Sequence, residues 1–147
     1  MTNDLTVALG IGCDRGTPEA TIAQAVDAAL VLAGARLAQV AAVASITLKA
    51  DEPGLLALAG RRGWTIRFHA PAALAAVPVP NPSETVRRYT GTPSVSEAAA
   101  LLAAGAIDAS ALLVEKHKHR GADGRNATVS VARMSAAPCA PNPKSTN

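Results

Sequence analysis

The chain has 147 residues, 49% of them hydrophobic but only 2% aromatic, with one Trp, one Tyr and one Phe. The net charge of +3 and pI of about 9.2 are mildly basic, and the basic residues are spread out apart from a cluster at 116–125. Few aromatics and dispersed charge argue against a nucleic-acid face. No apolar run approaches the ~18 residues of a membrane span, and the start Met1-Thr2-Asn3-Asp4 lacks the apolar region of a signal peptide. A single cytoplasmic domain that favours small anions is expected.

In chain order, Leu5 to Thr17 (LTVALGIGCDRGT) opens with alternating apolar residues and is then punctuated by Gly10, Gly12 and Gly16. This predicts a strand turning sharply into a helix, with Thr17 as N-cap and Pro18 as the first helical residue. Glycines allow close backbone approach to a ligand, and a helix start favours an anion. The same glycines would equally serve a tight turn by relieving crowding, since the spacing matches no nucleotide-binding fingerprint. Ile22, Val26, Ala29, Leu30 and Ala33 form one helical stripe ending at Gly34. Gln39 to Leu48 reads as a buried strand. Asp51 is a candidate N-cap for a second helix over 52–62 that buries Leu55, Leu56 and Ala59 and stops at Gly63.

Thr65 to His69 alternates like a short strand, and Pro71 opens a brief helix ending by Val77. Three prolines make 77–82 an extended loop, and Ser83 caps a short helix through Arg88. Ser94-Val95-Ser96-Glu97 has the capping-box pattern and opens an Ala/Leu helix to Ala104. Ala111 to Val114 is a strand, Glu115 to Arg125 a charged loop, and Ala127 to Ala132 a final strand that pairs back as a hairpin. Residues 135–147, rich in Pro, Ser and Asn, read as a disordered tail following a domain over 1–134. The expected architecture is α/β: a three-layer α/β/α domain with a mixed, mostly parallel sheet of about five strands.

Ligands of such sheets bind beyond the carboxyl ends of the parallel strands. Arg15, Lys49 and Lys116 each follow a predicted strand, so the expected site is an anion rim. The candidate ligand-binding set is Gly10, Gly12, Cys13, Arg15, Gly16, Thr17, Lys49, Asp51, Glu52, Ser94, Glu97 and Lys116. Other chemistries are weaker. His117 and His119 are spaced i, i+2 but have no nearby third ligand, so no metal is expected. Cys13 and Cys139 suggest no disulfide framework, and Cys13, with no evident partner base, reads as a packing residue. Asp51, Glu52 and Glu97 read first as helix-capping residues.

Several segments together resemble one family. They are GIGCDRGT at 10–17, ASITLKADEPGLLALA at 44–59, SVSEAAALLAAG at 94–105 and LLVEK at 112–116. The family is the C-terminal domain of the cobalamin-biosynthesis protein CbiG, the cobalt-precorrin-5A hydrolase, with its stand-alone relative CobE. The resemblance covers Leu5 to Ala132. It departs at Ser96, where the family has Cys, and at Lys116-His117, where it has Lys-Gln. It implies a domain of the CobE kind, without the further N-terminal regions of the hydrolase. It also implies a precorrin or other corrin intermediate as ligand, no cofactor, and other cobalamin-pathway enzymes as partners. Corrin precursors carry many carboxylates around a flat ring, which suits a cationic rim. Two functions follow from the resemblance: binding or delivery of the intermediate, or hydrolysis of a ring lactone, with Asp51, Glu52, Glu97 or His117 activating water.

Overall fold

The computed structural model of the chain describes residues 5–106 and 108–134. Five strands form one sheet in the order β3-β2-β1-β5-β4. They are β1 (Val7–Cys13), β2 (Val40–Ile46), β3 (Ile66–His69), β4 (Leu112–Arg120) and β5 (Asn126–Arg133). β2 lies parallel to both β1 and β3, whereas β5 runs antiparallel to both β1 and β4. Four strands therefore point one way and β5 alone is reversed. Helices α1 (Glu19–Ala33) and α2 (Pro53–Arg62) cover one face, and α3 (Pro71–Ala75), α4 (Glu84–Thr90) and α5 (Val95–Ala104) the other. This is the three-layer α/β/α arrangement with a mixed, mostly parallel sheet. Among the described residues no helix is long and apolar enough to cross a membrane. The predicted tail over 135–147 lies outside the described residues.

The two faces differ in side-chain size, and that difference positions the site. On the first face Val7, Leu9 and Ile11 of β1, Val43 of β2, and Val129 and Val131 of β5 pack beneath Ile22, Val26 and Leu30 of α1 and Leu55 and Leu58 of α2. On the second face β1 offers only Ala8, Gly10 and Gly12, and α5 packs directly on its backbone. A Cβ at Gly10 would stand 1.9 Å from the Ser96 carbonyl oxygen. Ala98, Ala99 and Ala100 are all fully buried. A helix face of alanines is what such close approach requires.

Several predicted boundaries change. Gly34 and Gly63 end their helices in the left-handed region, and Ser83 Oγ accepts from the Val86 N–H at 3.2 Å, as expected; Gly105 ends α5 in the same way. The other three predicted caps are not formed. Thr17 is not the N-cap of α1, which begins after Pro18; its hydroxyl donates to the Asp14 carbonyl at 2.6 Å. Asp51 does not cap α2, because Glu52 occupies that position and Asp51 pairs with Arg15. The capping box at Ser94 and Glu97 is absent, because Glu97 bonds to Asn81 instead. Leu56 is 43% exposed, and Leu58 is buried in its place.

The largest correction is at Glu115 to Arg125. Its first half is not loop but the continuation of β4, which runs to Arg120. As an edge strand, β4 owes its pairing to backbone bonds with β5 and needs no apolar alternation; charges there also discourage edge-to-edge association. Lys116 consequently lies within a strand, at a register shift between Val114 and His117, and not beyond a strand end.

Candidate functional site

A cleft of about 540 Å³ opens on the α5 side of the sheet, beyond the carboxyl ends of β1 and β2. Its floor is Gly12 to Arg15 of the β1 turn with Asn126 and Thr128 of β5. Ile46 and Lys49 close one side, and Lys116 and Lys118 of β4 the opposite side. Thr85, Val86, Tyr89 and Thr90 of α4 form a wall, and Val95 and Ser96 place the start of α5 there. A cleft of this size is typical of small-molecule sites, which span roughly 300–1,000 Å³.

Of the residues expected from sequence, the cleft gathers Gly12, Cys13, Arg15, Lys49 and Lys116. Gly10, Gly16, Thr17, Asp51, Glu52, Ser94 and Glu97 do not line it. Their positions have local reasons. Gly10 is the contact point of α5 on the sheet. Gly16 has φ +81° and donates its N–H to Glu52 Oε2 at 2.9 Å. The anion beside the glycine turn is thus the chain's own carboxylate, fully buried. Ser94 is buried, and its Oγ has no partner among the described residues.

Arg15 is engaged in the same way. Nη1 donates to Asp51 at 3.0 Å and stands 3.1 Å from Glu52 Oε1, an ion contact without hydrogen-bond geometry. Nη2 donates to the Leu48 carbonyl at 2.9 Å. With two carboxylates around one guanidinium, the trio carries a net negative charge. The hydrogen bond and charge of Arg15 hold the Asp51 carboxyl below its usual range. Asp14 adds a further tie, accepting from both the Asn126 N–H at 2.8 Å and its side-chain amide at 3.2 Å. The turn is therefore a braced corner linking β1, α2 and β5.

The cations left to face the cleft are lysines. Lys49 and Lys118 have no ion-pair or hydrogen-bond partner among the described residues, and Lys116 Nζ donates to the Asn81 carbonyl at 3.3 Å. Lys118 pairs with Thr128 across the hairpin and so shares its cleft-side face, while His117 and His119 pair with the buried core residues Val129 and Ala127. His119 meets Gln24 of α1 at 2.9 Å on that other face. Among the described residues no cluster of His, Cys, Asp or Glu could hold a metal ion. The Cys13 thiol is pushed up to about 11, chiefly by burial, against a smaller lowering by Lys49. It is therefore protonated at neutral pH and a poor nucleophile.

Sequence reasoning missed Lys118, Tyr89, Thr85 and Asn126. The i, i+2 spacing of Lys116 and Lys118 would have placed both on one face, had the segment been recognised as a strand.

Comparison with known proteins agrees with this architecture. The chain is 38% identical over 126 residues to the cobalt-precorrin-5A hydrolase of Priestia megaterium, covering 86% of this chain and 32% of the hydrolase. It is 39% identical over 101 residues to protein CobE of a Sinorhizobium species, covering 67% of this chain and 66% of that protein. The chain thus spans about a third of the curated hydrolase and just under two thirds of the curated CobE. The crystal structure of a CobE, a protein from the cobalamin biosynthetic pathway, superposes with a TM-score of 0.69 at 33% identity, covering 92% of this chain and 94% of that one. Residues 7–132 match the family described as cobalamin synthesis G C-terminus, and the chain belongs to that family of cobalamin biosynthesis.

Proposed function

We propose that this domain binds a carboxylate-bearing corrin intermediate in the cleft above β1 and β2. The observation that carries the proposal is the composition of the walls. Lys49, Lys116 and Lys118 surround a surface whose apolar part comes from Ile46, Val86, Val95 and Tyr89. A flat, largely apolar ring edged with acetates and propionates complements both features. The apolar walls exclude water from the ring, and each ammonium meets a carboxylate as a point charge.

Binding is favoured over hydrolysis because each carboxylate weighed as a base has other work. Asp51 pairs with Arg15, Glu52 accepts from Gly16, and Glu97 accepts from Asn81. His117 sits on the sheet face opposite the cleft. A water-activating group must lie within hydrogen-bond reach of the reacting atoms, and none of these four lines the cleft.

The test is absorbance titration with cobyrinic acid, a corrin with free acetate and propionate carboxylates, followed by gel filtration and mass spectrometry of the complex. The expected result is saturable binding that weakens with salt, and co-elution of unchanged pigment. A mass change in the pigment would favour catalysis. No spectral change or co-elution would overturn the reading.

A further inference from the structure

The wall formed by α4 differs from every other wall of the cleft. The helix buries none of its residues. Pro78, Pro80 and Pro82 precede it, and Gly91 follows at φ +84°. Its attachment to the domain is narrow. Val86 packs against the cluster around Leu74, Ile46 and Val95, and the Ser83 N–H bonds to the Pro93 carbonyl at 2.9 Å, closing the segment on itself.

Val77 and Val79 anchor the start of the segment on the same core, and Thr92 is buried at its end; the tie between them to α5 and β4 is one residue, Asn81. Its backbone N–H donates to Glu97 Oε1 at 3.2 Å, and its side-chain amide donates to Glu97 Oε2 at 2.6 Å. The same side-chain amide donates to Glu115 Oε1 at 3.1 Å, and the Asn81 backbone carbonyl accepts from Lys116 Nζ at 3.3 Å. Asn81 is itself exposed, whereas Glu97 is fully buried in the first turn of α5. Asn81 thus joins the segment to α5 and β4, with its side-chain amide bridging Glu97 and Glu115 and its backbone reaching Glu97 and Lys116. A buried carboxylate is costly unless it is hydrogen-bonded, so the closed position of the segment is what satisfies Glu97.

We propose that residues 77–93 form a movable wall of the cleft and that Asn81 is the latch holding it closed, with Lys116 as the part of the latch exposed to the cleft. The wall opens about residues 77–79, where Val77 and Val79 stay packed on the core, and about Gly91, and a ring as broad as a corrin enters past Tyr89. What the wall covers rests on the proposed binding; the latch itself does not, and it is tested without ligand.

Trypsin needs an extended segment, so cleavage after Arg87 or Arg88, both exposed on α4, reports local opening of the wall. Asn81→Ala should raise the cleavage rate at these two sites roughly tenfold, the worth of a lost charge-assisted hydrogen bond. Cleavage after Arg61 and Arg62 at the end of α2 should stay near the wild-type rate. Lys116→Met should raise the Arg87 and Arg88 rate by a smaller factor, because it removes one arm of the latch. If Asn81→Ala destabilises the whole domain through Glu97, native-state hydrogen exchange of the wild type decides. The α4 amides should then exchange by an opening insensitive to denaturant, far faster than those of α5. Unchanged cleavage at Arg87 and Arg88 in a folded Asn81→Ala protein, or α4 exchange only by global unfolding, would overturn the latch. Failure of cobyrinic acid to bind would instead overturn the proposed ligand and leave these results standing.

Discussion

Gly10→Ala tests the close packing on which the cleft depends. An added Cβ would lie 1.9 Å from the Ser96 carbonyl oxygen, 2.5 Å from the Ala100 nitrogen and 2.9 Å from the Ser96 carbonyl carbon. All three are backbone atoms, so no side chain can swing aside. Ordinary contact begins at 3.4 Å, so α5 must retreat from the sheet by about 1.5 Å in an interior that packs like a crystal. Overpacking of this kind costs about 1–3 kcal/mol. Separating the Ala-rich face of α5 from Ala8 and Ala132 also forfeits dispersion contacts. We expect a loss near ~3 kcal/mol, or a fall in Tm of about 6–12 °C at the ~2–4 °C per kcal/mol usual for a domain of this size. Gly60→Ala is the internal control. Gly60 lies within α2, and an added Cβ there would meet nothing within 4 Å, so alanine should stabilise by about 0.5–1 kcal/mol. Thermal and urea unfolding of both variants supply the measurement. A Gly10→Ala protein melting within a degree or so of the wild type would refute the reasoning, as would equal shifts of both variants in the same direction.

Three further outcomes are expected. In a Cys139→Ser background, alkylation of Cys13 by iodoacetamide should be slow at neutral pH and rise with a midpoint near 11, and Lys49→Ala should move it higher. The folded thiol titrates above its ordinary 9.0, so the associated stability is present below that value and lost as pH rises through about 11; a midpoint at the ordinary value would contradict the burial of Cys13. In NMR titration the Asp51 carboxyl should show a midpoint below 3.8 in the wild type and move back toward it in Arg15→Ala. Stability from that carboxylate is therefore present above its ordinary value and withdrawn as pH falls through the lower folded one, and an unmoved midpoint would dissociate the pair. Lys49→Ala and Lys118→Ala should each weaken cobyrinic acid roughly tenfold and reduce the salt dependence, whereas Arg61→Ala, whose guanidinium pairs with Glu19 on the other side of the sheet, should not. Equal losses in all three would mean that the ligand responds only to net charge.

Local signals in the sequence determined the local structure. Gly34, Gly63 and Gly105 stop helices because a left-handed residue costs glycine least, and Ser83 caps α4 because its acceptor and donor lie three residues apart. The alternation of helices with strands likewise sufficed for an α/β sheet with a hairpin at its end, and the strand-end positions of Arg15 and Lys49 set both at the sheet edge where the cleft opens. Wherever a polar side chain had a choice of partner, tertiary structure decided. Glu52 reaches Gly16 across 36 positions of sequence, and Asn81 reaches Glu97 across 16. Such partners outcompete the nearer caps because the sheet brings buried charge and backbone donor together where water is excluded. The same holds for β4. A run of charges looks solvated in sequence, and only pairing with β5 makes it an edge strand that aims Lys118 into the cleft. Arg15, the clearest cation in the sequence, is held by Asp51 and Glu52, because folding sets two carboxylates within reach of one guanidinium.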